Sequence, residues 1–267
     1  MRTLAHLSDL HFGRVDARLL VPLARRVRES HPHVVVVSGD LTQRGKSAEF
    51  RDARRFLDTL PQPLLVVPGN HDVPLYNLWH RFVQPLAKYR RYISEEVEPA
   101  YIDNELAVLG VNTARSAAFK GGRINAAQIA RIRSRFAGLD ERITRVIVTH
   151  HPFDLPPGHA PRAIVGRARL AMQAFAACGA DLLLAGHLHT THAGDTSARY
   201  RIEGFAALVV QAGTATSVRA RGEVNAFNVL HIDRESVRIE RFGWDGADFA
   251  PASAETFARS PEGWRRR

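Results

Sequence analysis

A chain of 267 residues with 45% hydrophobic and 8% aromatic content carries enough apolar material for one large packed domain or two small ones, which sets aside disordered and fibrous architectures. Its one cysteine, Cys178, excludes an internal disulfide or a thiolate metal cluster, and the setting "AMQAFAACGAD" suggests a buried structural thiol in a reducing compartment. The formal charge of +10 invites an acidic partner such as nucleic acid, yet the excess is arginine scattered along the chain, with Lys46, Lys88 and Lys120 the only lysines.

The N-terminal "MRTLAHLSDLHFG" enters a strand pattern at once, without a cationic region followed by an apolar stretch. No run reaches the roughly 18 apolar residues of a membrane span, so a cytoplasmic chain is expected. Short Val/Leu runs closed by Gly, Pro or Asp then recur: "TLAHLSD", "HVVVVSGDL", "PLLVVPGN", "LAVLGVNT", "RVIVTHH", "DLLLAGHLH" and "ALVVQAGTAT". They read as strands buried on both faces. Helical patterns lie between several of them. "DARLLVPLARRVRES" is interrupted only by Pro22, "SAEFRDARRFLDTL" offers Ser47 as a cap, and "NAAQIARIRSRF" has Asn125 as a cap with Gln128 at the capping-box position.

Residues 76–99 read as a small helical lobe, in which Trp79, Phe82, Tyr89 and Tyr92 fit core packing better than a stacking rim for a base. The strand candidates "ARYRIEG", "ALVVQAG", "NAFNVLHID" and "SVRIERFGW" then follow without intervening helices, as an antiparallel half that closes the fold. The expected organisation is one α/β domain over residues 1–249, built of stacked sheets flanked by helices, with a loosely packed tail over 250–267.

Polar residues gather at the ends of the strand candidates. The first ends in Asp9 and His11, the second in Asp40 and the third in Asn70 and His71, while later strands end in His150, His151, His187 and His189. Asn, Asp and Gly are ordinary turn formers, so "PGNHD" alone would mark only a chain reversal. Functional groups of α/β sheets, however, collect beyond the carboxyl ends of strands. The donors are oxygen and imidazole nitrogen, numerous enough for two divalent ions sharing a carboxylate. On an extended chain Asp9 and His11 point to one side, as do His187 and His189, so each step delivers two donors. Two ions about 3.5–4 Å apart can hold a hydroxide between them and clamp a phosphoryl group for in-line attack.

"DLH" (Asp9–His11), "GD" (Gly39, Asp40), "GNHD" (Gly69–Asp72), "HHP" (His150–Pro152) and "GHLH" (Gly186–His189) together resemble the ordered motif set of the calcineurin-like metallophosphoesterases. Singly each is weak; five in order at strand ends are specific. The resemblance implies a four-layer α-β-β-α sandwich of two mixed sheets. It implies that Asp9, His11 and His189 hold one metal, that Asn70, His150 and His187 hold the other, and that Asp40 bridges them. His71 meets the substrate phosphate, stabilising charge or protonating the leaving oxygen, work that suits an imidazole. Asp72 orients His71. Mn²⁺, Fe and Zn²⁺ all suit such mixed ligands. His150 is preferred to His151 because the family's ligand stands two residues before the proline, here Pro152.

The chain is similar to the bacterial cyclic nucleotide phosphodiesterases of class III, which implies hydrolysis of a small phosphodiester such as a 3′,5′-cyclic nucleotide. The alternative is a nuclease or a phosphodiesterase acting on glycerophosphodiesters or lipid headgroups. Nucleic acid is less favoured because the added domain of the recombination nucleases is not found in the sequence. A non-catalytic binding scaffold is a further reading, which the complete donor set opposes. Oligomeric state stays open, a homodimer included. Outside the motifs, His6 is expected to bond locally, His31 and His33 to face solvent and His80 to lie on an exposed helix face. His159 and His192 lie nearer the expected crevice, and Arg115 either forks onto a phosphate or serves the surface.

Overall fold

Apolar runs without polar alternation are buried on both faces, and here they become the parallel centres of two stacked sheets. The computed structural model describes residues 1–267 except 75–77, 117–120, 219–221 and 262, and except the side chains of 78–80. Tyr76 and the side chains of Trp79 and His80, within the expected lobe, lie outside the described residues.

The first half runs β1 (Arg2–Leu7), α1 (Ala17–Glu29), β2 (Val34–Val37), α2 (Ser47–Leu57), β3 (Leu64–Val66), α3 (Leu78–Val83) and α4 (Ala87–Tyr92). Next come β4 (Ala100–Ile102), β5 (Leu106–Val111), α5 (Ala126–Ala137), β6 (Thr144–Thr149), α6 (Ala168–Ala177), β7 (Leu182–Ala185), β8 (His192–Asp195), α7 (Ser197–Tyr200) and β9 (Leu208–Gln211). The chain closes with β10 (Ala226–Ile232), β11 (Ser236–Trp244), β12 (Phe249–Ser260) and β13 (Gly263–Arg266).

One sheet has the order β13-β12-β11-β10-β1-β2-β3 and the other β4-β5-β6-β7-β9-β8. Both are mixed. β1, β2 and β3 are parallel while β10 to β13 add antiparallel strands, and β5, β6, β7 and β9 are parallel between the antiparallel edges β4 and β8. Leu4, Val34 and Val36 of the first sheet pack on Val108, Val146 and Leu184 of the second. Outside the first sheet, Val35 and Val37 meet Leu19 and Leu23 of α1 and Phe50 of α2; outside the second, Ile147 and Leu183 meet Ile132 of α5 and Phe175 of α6. The four-layer α-β-β-α sandwich is thus present, and its parallel strands carry their carboxyl ends to one crevice.

Helix starts follow the local chemistry. Asn125 Oδ1 accepts from Gln128 N at 2.8 Å while Gln128 Oε1 accepts from Asn125 N at 2.9 Å, the reciprocal capping box expected for α5. At α2 the expected cap Ser47 is instead the first helical residue, and the Glu49 carboxylate accepts from the backbone N–H of Arg44 and Lys46. Tyr89 is buried with its hydroxyl donating to Val66 O, whereas Phe82 is exposed.

Other sequence expectations also fail here. "ARYRIEG" is not a strand: α7 and a left-handed Arg201 (φ 40°) turn the chain, because Asp195 Oδ1 accepts from Ser197 N and starts a helical turn. The segment 250–267 is not a loose tail, since β12 pairs along β11 from Trp244↔Phe249 to Ser236↔Ala258 and β13 pairs in turn with β12. Its Ala/Ser/Pro-rich stretch is exposed and hides the pattern; among its described residues only Phe257 and Trp264 enter the core, with Phe249 just before them. Cys178 is half-buried rather than buried. No described helix is long and apolar enough to cross a membrane.

Candidate metal centre

The ligand-type residues lie just past the strand ends, where the backbone is not extended. Asp9 (φ 53°), His11 (φ 50°), Asp40 (φ 53°), His187 (φ 73°) and His189 (φ 60°) all occupy the left-handed region, five of the eight described non-glycine residues that do so. Each such residue costs on the order of 1–3 kcal/mol and persists only where the surroundings enforce it. The expected alternation along an extended strand is therefore not the device that aims Asp9 with His11 or His187 with His189. Successive left-handed kinks are.

Backbone is drawn in tightly to support these kinks. A Cβ on Gly69 would lie 2.1 Å from Asp40 Oδ1, and one on Gly186 would lie 1.8 Å from Ser8 Oγ. Glycine is required at both positions by close approach.

Two groups of donors result. Asp9 Oδ2 accepts from Ser8 Oγ at 2.7 Å and from His187 N at 2.9 Å. Asp9 Oδ1 is buried without a hydrogen-bond partner, 3.4 Å from His11 Nε2 and 3.5 Å from His189 Nε2. In the second group His150 Nδ1 donates to Ser38 O at 2.8 Å, which turns its Nε2 inward. That Nε2 lies 3.1 Å from Asn70 Oδ1, 3.3 Å from His187 Nδ1 and 3.3 Å from Asp40 Oδ2. Asp40 Oδ2 is also 3.8 Å from His11 Nε2, so this one oxygen adjoins both groups.

Electron-rich atoms converging this closely in a buried site fit cations rather than one another. The electrostatics agree. Burial opposes ionisation of Asp9 and Asp40, yet His189 beside the first and His150 beside the second hold both carboxyls well below the ordinary range. Against burial, the Asp40 charge pushes His150 up to about 9, while burial and the neighbouring His150 push His187 down to about 4. The centre draws positive charge, and these clusters of buried His and Asp are consistent with a dinuclear metal site.

His71 stands at the open side with 28% of its side chain exposed. Its Nδ1 donates to Gln43 O at 2.8 Å and its Nε2 lies 4.0 Å from Asp40 Oδ2. Its backbone N–H donates to Asp40 Oδ1 at 2.8 Å. Asp72, expected to orient His71, does something else. Its Oδ1 accepts from Thr42 N (2.9 Å) and Thr42 Oγ1 (3.0 Å), and its Oδ2 from Gly69 N (2.9 Å) and Leu41 N (3.2 Å). It staples the loop after β2 to the loop after β3, and the Gln43 carbonyl orients the ring. Burial and the Asp40 charge push Asp72 up to about 6 in spite of those amide donors.

His151 is fully buried beside the donors, its Nδ1 2.8 Å from Thr113 Oγ1 and its ring 4.6 Å from that of His187. Arg115 donates to Arg123 O and to Gln128 Oε1. His6 is fully buried, and its bond is not local in the chain: Nε2 lies 2.9 Å from Ser38 Oγ, just past the neighbouring strand β2. His159 and His192 are half-buried, and neither falls within the donor clusters. Ser8, Ser38, Gln43 and Thr214, whose Oγ1 lies 2.6 Å from His189 Nδ1, support the site but carry no sequence mark. Ser8 and Ser38 do adjoin the "DLH" and "GD" motifs, the one available hint.

Comparisons with known proteins converge on this architecture. The chain is 30% identical over 169 residues to the glycerophosphodiester phosphodiesterase GpdQ of Enterobacter lignolyticus, covering 59% of each protein. It is 24% identical over 191 residues to an uncharacterized protein, YpbG, of Bacillus subtilis, covering 70% of this chain and 61% of the relative. It spans about three fifths of the length of these curated relatives. In fold it is similar to purple acid phosphatase PPD1 from yellow lupin, with TM-score 0.73, 11% identity, and coverage of 96% of this chain and 53% of that one. A dimetal phosphatase of Danio rerio gives TM-score 0.64 and 14% identity, with 97% and 99% coverage. The profile of the calcineurin-like phosphoesterases matches residues 2–191, and the chain belongs to that family.

Proposed function

We propose that this protein hydrolyses a phosphodiester in a metal-dependent reaction, with a glycerophosphodiester favoured ahead of a 3′,5′-cyclic nucleotide. The observation that carries the reaction class is the meeting of two donor groups, one around Asp9 Oδ1 and one around His150 Nε2, at a buried Asp40 oxygen that lies 3.8 Å from His11 Nε2 and 3.3 Å from His150 Nε2. In this reading Asp9, His11 and His189 hold one divalent cation, Asn70, His150 and His187 the other, and Asp40 both. When bound, such a pair supplies Lewis-acid charge for a phosphoryl group and a nucleophile at neutral pH.

The protein's own residues supply position and proton. Gln43 O holds the His71 Nδ1–H, so Nε2 faces the centre and, when the ring is doubly protonated, is the atom that gives its proton to the departing oxygen and leaves the ring neutral. The hydroxyl of Ser8 and the amide of His187 occupy one oxygen of Asp9 and keep the other for the cation. A sugar or glycerol alkoxide is a poor leaving group, and for it the His71 proton matters most. The preference for a glycerophosphodiester rests on similarity to GpdQ, a glycerophosphodiester phosphodiesterase by name.

The test is a substrate panel on purified protein with metal content measured on the same sample. Stripping metal and restoring Mn²⁺ should abolish and recover hydrolysis of bis(p-nitrophenyl) phosphate. Glycerophosphodiesters should then turn over faster than cyclic AMP or single-stranded DNA. Full activity in the stripped protein would refute the metal-dependent reading, and faster hydrolysis of cyclic AMP would overturn the substrate order.

A further inference from the structure

Apart from the metal centre, the structure holds a cavity of about 600 Å³ between α1, α2 and the segment that follows His11. The size lies within the range of about 300–1,000 Å³ usual for small-molecule sites. Its apolar lining includes Phe12, Leu20, Ala24 and Phe56, with the rings of Phe12 and Phe56 5.9 Å apart. Three exposed arginines, Arg14, Arg28 and Arg55, line the same space. The single acidic residue among them, Asp52, is already paired with Arg55, and Arg28 donates to Thr59 O. The Arg14 guanidinium makes no hydrogen bond or ion pair among the described residues. An apolar floor beneath an uncompensated cationic edge is complementary to one chemistry, an alkyl chain ending in an anion.

We propose that this cavity binds a single-chain amphiphile with an anionic head, such as a carboxylate, and that its occupancy is transmitted to His71. The connection is short. Phe12 N donates to Leu41 O at 2.8 Å, Gln43 N donates to Phe12 O at 2.9 Å, and Gln43 O accepts the His71 Nδ1–H at 2.8 Å. Arg14 N donates to His11 O at 2.8 Å. A chain pressed against Phe12 therefore bears on the loop that sets the His71 ring.

Isothermal titration calorimetry of the full metal-loaded chain with monomeric sodium dodecanoate tests the binding, independently of the phosphoesterase reading. One saturable site is expected, and decanoate, two methylenes shorter, should bind roughly fifteenfold more weakly, since each buried methylene contributes about fourfold. Leu20→Trp fills the cavity and should remove binding. Arg14→Glu, at an exposed position that leaves the core intact, should weaken it at least fivefold at low salt. Absence of saturation, or equal affinity in wild type and both variants, overturns the site. A dimer that Leu20→Trp disrupts and dodecanoate leaves intact assigns this face to a second copy instead and also overturns it. The link to His71, which does rest on the proposed reaction, predicts that dodecanoate changes kcat in the wild type but not in Leu20→Trp. Binding with kcat unchanged overturns that link.

Discussion

Replacing Asp72 by Asn separates two roles for this residue, because the amide keeps the size of the carboxylate and removes half of its acceptor capacity. In the native site each carboxylate oxygen receives at least one backbone N–H: Thr42 N on Oδ1, and Leu41 N and Gly69 N on Oδ2. Whichever oxygen becomes NH₂, a donor then faces a buried donor. If two polar groups lose their partners at about 1.5–2 kcal/mol each, the loss is about 3–4 kcal/mol. With an unfolding entropy of about 2.1 cal/mol/K per residue, this chain's melting temperature should fall by about 5–7 °C. The measurement is calorimetric or circular-dichroic melting of the metal-free protein at pH 8, above the value of about 6 at which Asp72 ionises. A melting temperature within 1 °C of wild type, accompanied by a collapse of kcat, would refute the staple and restore a direct role in orienting His71.

Three further outcomes follow from particular contacts. His71→Ala should keep its bound metal but lose about 10²–10⁴-fold in kcat on a glycerophosphodiester, and much less on bis(p-nitrophenyl) phosphate, whose leaving group needs no proton; equal losses on both would leave charge stabilisation as its role. His6 is pushed down from 6.5 to about 3 by burial, against the pull of Asp9, so the unfolded chain takes up its proton first as pH falls. That costs about 1.4 kcal/mol per pH unit below 6.5, or about 2 kcal/mol by pH 5, and denaturant melts of His6→Gln should show a flatter acid limb. Trp264→Ala should destabilise by about 3–5 kcal/mol, as for a core position, and a loss under 0.5 kcal/mol in urea unfolding would return the C-terminal segment to the status of a tail.

How much of this was legible in the chain depends on the range of the interactions involved. The parallel strands were visible because burial on both faces demands continuous apolar runs, as in "VVVV" of β2. The α5 start was visible because a capping box is closed within four residues. β12 was not, because its partner β11 tolerates small polar residues on an exposed face, and two widely spaced aromatics, Phe249 and Phe257, are its only buried residues.

The candidate site divides along the same line. Residue type at strand ends is a local property, so Asp9, His11, Asp40, Asn70, His150, His187 and His189, with His71 and His151, could be picked out as donors from the sequence by itself, and the family resemblance set the last two apart from the ligands. Their aim could not be, because left-handed backbone at Asp9, Asp40 or His187 is held by partners 29 or more residues away, such as the Asp40 carboxylate against Gly69 and Ser8 against Gly186. The exchange of roles between Asp72 and the Gln43 carbonyl has the same cause. A backbone carbonyl has no letter in the sequence, and which ring it meets is decided only when two loops are packed together.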